Sequence, residues 1–167
     1  MDDLYVECLV ERKPAPFQPL IRGGAYGLAV VSFLAGVIIN PLFFVLTAAL
    51  ILCIWLALPA LNVEYEYLYV SRSLTIDRIL SKEKRKKAAE YDLERMEIFA
   101  EDGAVQLDQY KNMDIPVRDY TSRFENRAVW VLIIRNEGSA ERILLEPDEK
   151  LIQAMKSHFP HKTFFRM

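Results

Sequence analysis

Residues 23–61 read GGAYGLAVVSFLAGVIINPLFFVLTAALILCIWLALPAL, an apolar run without one charged side chain. The hydrocarbon core of a bilayer is about 30 Å thick and takes roughly 20 apolar residues per helix, so a run of this length holds two short spans. Asn40-Pro41 marks the turn, because proline lacks a backbone donor and biases its predecessor away from helix. The expected spans are residues 23–39 and 42–61. Inside lipid every backbone polar group must be satisfied within its own segment, which leaves helix as the form. A buried hairpin of a water-soluble protein would need a large apolar partner surface, and the remaining sequence is too polar to offer one.

Ala25, Ala29, Ser32 and Gly36 recur at helical spacing along the first span. Small residues let membrane helices approach closely, so this stripe is expected to pack on the second span or on another copy of the chain. The second case would make a homo-oligomer. Arg12, Lys13 and Arg22 precede the run, Arg72, Arg78 and the run from Lys82 follow it, and the turn carries no charge. The positive-inside rule then places both ends in the cytoplasm of a two-span protein of the cell membrane. The start, MDDLYVECLVERK, lacks the basic region and cleavage site of a signal peptide.

A net charge of −2 leaves no electrostatic footprint for nucleic acid. Cys8 and Cys53 are too few for a disulfide framework, which fits a reducing compartment. The 167 residues divide into a cytoplasmic segment, 1–22, the hairpin, 23–61, and one cytoplasmic domain, 62–167. In the first segment Leu4, Cys8 and Leu9 favour a short helix, while alternation over Tyr5–Val10 reads equally as a strand. Pro14, Pro16 and Pro19 make the next stretch extended.

Past the run the pattern becomes alternating. Val63, Tyr65, Tyr67 and Tyr69 share one face of a strand. Further strands are expected at 74–79, 86–92, 96–100, 117–122 and 141–146, with a helical turn at 93–95. Residues 128–134, AVWVLII, are apolar on both faces, as in a doubly buried strand. Pro147 suits the first position of a closing helix, whose apolar stripe is Leu151, Ile152, Met155 and Phe159. Hairpin signals outnumber crossover signals, so the seven strands should pair antiparallel. The tail, with Phe164-Phe165-Arg166, docks on the sheet or touches lipid.

Lys82, Lys84, Arg85, Lys86 and Lys87 form a basic turn opposed only by Glu83. Next to an anionic leaflet such residues gain about 1 kcal/mol each; the competing reading is a solvated hairpin tip. His158 and His161 are too few for a metal site. No phosphate loop, nucleophile elbow or acid–base pair is present, so neither catalysis nor a cofactor is expected.

Several stretches resemble the bacterial pleckstrin-homology-like (PH-like) domains of small membrane proteins. They are YEYLY (65–69), LTID (74–77), the basic turn, LERMEI (93–98) and LLEPDEKL (144–151). The layout also resembles a family of small Gram-positive membrane proteins of unknown function. The resemblance implies an α+β membrane protein: a transmembrane helical hairpin followed by a seven-stranded antiparallel sandwich or barrel closed by a C-terminal helix. It further implies a non-enzymatic scaffold binding protein, peptide or a lipid surface. Phosphoinositide-binding members of the wider superfamily carry basic residues around their first hairpin, whereas residues 70–74 here hold only Arg72. Two other roles remain open: a structural subunit assembled through the hairpin, and a carrier with a pocket inside the sandwich.

Overall fold

The computed structural model describes residues 5–58, 62–80, 84–136 and 138–166. The first element is a strand, β1 (Val6–Glu11), whose residues alternate between buried and exposed. This corrects the short helix favoured for the N-terminal segment. The physical reason lies more than fifty residues downstream. Val6, Cys8 and Val10 pair with Tyr69, Tyr67 and Tyr65 of β2 (Val63–Val70), antiparallel. All six side chains are buried. The apolar helices are therefore inserted between two paired strands, where the sequence had suggested that they precede the domain.

Helix α1 (Gln18–Ile38) has 21 residues and begins before the expected start. Pro19 was read as extended, but it lies in the first turn, where no backbone donor is needed. Helix α2 (Phe43–Ala57) has 15 residues. At 1.5 Å per residue the two are about 31 Å and 22 Å long. Among the described residues, α1 alone is long and apolar enough to cross a membrane by length and composition. Residues 59–61, the end of the expected second span, lie outside the described residues. Asn40 closes the turn by accepting from the Leu42 backbone N–H at 2.9 Å.

The chain divides into two units, one of Pro14–Val63 with Leu80–Lys84, the other of Met1–Lys13, Glu64–Ile79 and Arg85–Met167. In the second, β3 (Ser73–Leu80) and β4 (Lys84–Asp92) complete a four-stranded sheet of order β1-β2-β3-β4. Ser71 and Arg72, with φ of 45° and 68°, make the tight turn from β2 to β3. A 3-10 turn (Leu93–Arg95), anchored by buried Leu93, leads into β5 (Met96–Glu101). Gly103, at φ 88°, turns the chain into a second 3-10 turn (Val105–Leu107) and α3 (Asp108–Lys111). This crossing covers one face of the second sheet, where Ala104, Leu107 and Tyr110 pack with Ile98, Val131 and Ile133.

The crossing delivers β6 (Val117–Asp119), shorter than expected, to the far edge of that sheet. β7 (Trp130–Asn136), β8 (Ser139–Leu145) and β9 (Thr163–Phe164) complete it in the order β6-β8-β7-β5-β9. The wholly antiparallel expectation fails at both edges: β6 runs parallel to β8, and β9 parallel to β5. The crossing and the helical return bring these edge strands back in the direction of their neighbours. β7 is central, and Trp130 to Ile134 are all at most 3% exposed. α4 (Glu149–His158) packs on β1 and buries Leu151, Ala154 and Met155. Its cap is Asp148, which accepts from the Leu151 N–H at 2.9 Å, so Pro147 precedes the cap and is not the first helical residue. The sheets thus hold four and five strands among the described residues, where seven were expected after the hairpin.

Candidate functional site

The basic run is not a hairpin tip. β4 begins at Lys84, so Lys84, Arg85, Lys86 and Lys87 lie along an edge strand and all four are exposed. Lys82 falls outside the described residues. Alternation puts Arg85 and Lys87 on one face and Lys84 and Lys86 on the other. Arg85 donates to Glu66 at 2.9 Å and stands 4.0 Å from Asp77. Burial pushes the Glu66 carboxyl up, and Arg85 opposes this only in part. Lys87 pairs with Glu90. No ion pair is found for Lys84 or Lys86 among the described residues. Among the described residues, the four cations of β4 are therefore two with ion-pair partners and two without. Glu66 and Asp77, the carboxylates that neutralise Arg85, sit on β2 and β3, and no local sequence signal pointed to them, whereas Glu90 lies three residues from Lys87 on β4 itself.

The C-terminal half of β4 borders a polar cleft of about 330 Å³. Glu90, Asp92, Arg118, Tyr120 and Glu141 supply its polar lining. The Tyr91 and Tyr120 hydroxyls lie 3.4 Å apart, and burial raises the Tyr91 pKa. The cleft pairs one guanidinium with three carboxylates and presents no nucleophile–base pair. Among the described residues no group of three or more His, Cys, Asp or Glu is gathered for a metal ion. His158 instead bonds the Tyr69 hydroxyl through Nδ1. Trp130 stacks on Phe99 with ring centroids 4.7 Å apart.

A buried polar cluster fixes the loop beside β6. The Tyr67 hydroxyl donates to the Tyr120 carbonyl at 2.7 Å and accepts from the Glu146 N–H at 3.3 Å. Burial raises the Tyr67 pKa, so the hydroxyl stays protonated as a donor. Glu146 Oε1 accepts from the Ser122 N–H at 3.0 Å, and its carbonyl faces the Cys8 thiol at 3.8 Å. Burial pushes that thiol up, and both cysteines are free. Arg12 reaches the Tyr65 hydroxyl at 2.7 Å and Asp119 at 3.4 Å.

A family model described as a bacterial PH-like domain (DUF6106) matches residues 2–165. The chain belongs to the bacterial PH-like domain family. No curated protein and no solved structure gave a match. The PH-like match spans α1 and α2 as well as the strands, in keeping with β1 lying before the helices. With β1 in place, residues 70–74 of this PH-like domain join its second and third strands. The link between its first and second strands is the helical hairpin itself.

In that hairpin the small-residue stripe lies on the less exposed face of α1. Ser32 and Gly36 are buried, and Ala25 and Ala29 are half-buried. The Ser32 hydroxyl donates to the Phe43 carbonyl at 3.2 Å and receives the Thr47 hydroxyl at 3.0 Å. A Cβ at Gly36 would come within 2.8 Å of the Phe44 ring, so a side chain there would displace that ring. Phe33 and Phe44 meet with centroids 5.6 Å apart.

Proposed function

We propose that this protein is a membrane-anchored PH-like interaction module that binds a protein, a peptide or a lipid surface and performs no catalysis. The pairing of β1 with β2 carries the reading. These strands flank the helices and exchange backbone hydrogen bonds, which supports a hairpin whose two ends lie on one side of the bilayer. The apolar exposure of the helices supports insertion: Val31, Val37, Ile38, Val45 and Trp55 are each more than 60% exposed, and contiguous bare apolar surface marks membrane or partner contact. The flanking cations put that side in the cytoplasm. Lys84 and Lys86, on the exposed β4 edge, are suited to an anionic leaflet or an acidic partner.

Assembly through the small-residue stripe finds less support, because α2 already occupies it. A carrier pocket inside the sandwich finds little, since Tyr67, Tyr69, Phe99, Leu132 and Ile143 fill core positions there. The test has two arms. Asn40→Cys should react with an impermeant maleimide added outside intact cells, while cysteines placed in β4 should not; an unreactive position 40 removes full crossing. In-cell crosslinking of the full chain, with its hairpin exchanged for an unrelated one, should keep the same partners. Partners lost on exchange would move recognition to the hairpin.

A further inference from the structure

The first turns of α1 and the last turns of α2 enclose an open cleft of about 500 Å³. Ile51 and Ile54 form an apolar wall, Tyr26 and Trp55 bring aromatic rings, and Arg22 and Asn62 close the polar end. One oxygen, Asn62 Oδ1, accepts both from Arg22 Nη2 at 2.9 Å and from Gln18 Nε2 at 2.7 Å. Arg22 Nε is buried and has no acceptor. No carboxylate pairs with Arg22 among the described residues, and none lines the cleft. The result is a positive charge with no carboxylate beside it at the polar end of an apolar cleft.

Each part of that arrangement selects against a different class of occupant. A wholly apolar ligand would cover the guanidinium without offering it an acceptor, which costs free energy. A small soluble anion would leave the aromatic and aliphatic wall without a partner. A guanidinium fork matches two oxygens of a phosphate. Tyr and Trp settle at the headgroup level of a bilayer, the level that the anchored reading gives this end of the hairpin. We propose that the cleft holds one anionic phospholipid. Its phosphate oxygens accept from Arg22, and one acyl chain runs between Tyr26 and Trp55 along Ile51 and Ile54. This rests on the membrane reading above and adds to it a specific lipid site, separate from the lysines of β4.

The full chain, reconstituted in vesicles of equal phosphatidylglycerol and phosphatidylcholine and extracted in mild detergent, is read by native mass spectrometry. Phosphatidylglycerol should be retained over phosphatidylcholine by roughly fivefold or more: both offer Arg22 a phosphate, but choline brings a second positive charge beside the guanidinium. Arg22→Gln should bring the ratio down to that of the bulk vesicle. Arg22→Lys should keep part of the preference, and Lys84→Ala with Lys86→Ala should leave it unchanged. A second measurement leaves Arg22 intact: with Trp130→Phe in place, Trp55 fluorescence should be quenched more by brominated phosphatidylglycerol than by brominated phosphatidylcholine. Equal retention, equal quenching, or an unchanged ratio in Arg22→Gln overturns the site. A chain that fails to float with the vesicles overturns the membrane reading itself, whereas one that floats without selectivity overturns only the site.

Discussion

Two apolar runs in this chain meet opposite surroundings. In β7, Trp130 to Ile134 lie between protein layers and are all but inaccessible. In α1, Val30, Val31, Val37 and Ile38 stand bare along a helix of comparable apolar character. The buried residues of the two regions differ just as sharply. β7 hides its largest side chains, while the hairpin hides Ser32, Gly36 and Thr47. Where water is the solvent, burial rewards apolar area. On the proposed membrane reading lipid is the solvent of the hairpin; there that reward vanishes, and close backbone approach and polar contacts between helices take its place.

The contrast can be broken most directly in the β7 core. Leu132→Ala should cost about 2–5 kcal/mol, the range for a fully buried leucine, in urea unfolding of the full chain in micelles. A loss below 1 kcal/mol would show that the second sheet is not packed as described. Tyr67→Phe comes next. It removes the donor to the Tyr120 carbonyl and strands a buried acceptor, at about 1–3 kcal/mol; an unchanged midpoint would show that water replaces the hydroxyl.

Gly36→Val tests the hairpin by the opposite operation, adding volume where β7 loses it. Overpacking against Phe44 should cost about 1–3 kcal/mol, and Phe44→Ala in the same chain should recover most of it. A loss that persists in the double variant would place the contact elsewhere.

Asp119 offers a smaller, pH-dependent effect. Burial raises its carboxyl, but hydrogen bonds from Thr121 and the nearby Arg123 outweigh this and hold it below the usual carboxylate range. A folded pKa below the unfolded one means that stability is present above the unfolded value and is lost as pH falls through the folded one. Asp119→Asn should therefore cost about 1 kcal/mol near neutrality, the value of a part-exposed hydrogen bond. The gap to the natural chain should close as pH drops below the ordinary aspartate range. A gap constant with pH would assign the effect to shape and not to charge. Smallest of all, Val37→Ala on the bare face of α1 should shift the midpoint by less than about 0.5 kcal/mol. A loss equal to that of Leu132→Ala would erase the contrast between the two regions.

Local pattern made much of this legible in the sequence. The tyrosine alternation of β2, the doubly buried β7, the turn at Asn40 and the 3-10 turn at Leu93 each carry their signal within a few residues. What stayed hidden depends on distant partners. β1 reads ambiguously because the strand that fixes its face lies beyond both helices. The parallel edges β6 and β9 are decided by long returns, which leave no local periodicity. The candidate site was half legible. The cations of β4 are plain in sequence, yet a strand exposed on both faces has no alternation of burial and resembles a loop. Arg22 was visible only as a flanking charge and Asn62 only as a boundary residue; the bond between them spans forty positions.

The insertion of the helices between β1 and β2 also sets a timetable for biosynthesis. β1 leaves the ribosome first but cannot pair until residues 12–62 and then β2 have followed. At about 5–20 residues per second that delay is several seconds, ample for a hairpin to reach the translocation machinery. If the hairpin enters a bilayer as proposed, the sheet then closes only when both helices have returned the chain to the compartment where β1 waits. A nascent chain threaded with the wrong orientation would leave β2 and α4 without their first strand, a lesion open to proteolysis. On the proposed membrane reading, strand pairing at the base of the hairpin thus acts as a proofreading step on its insertion.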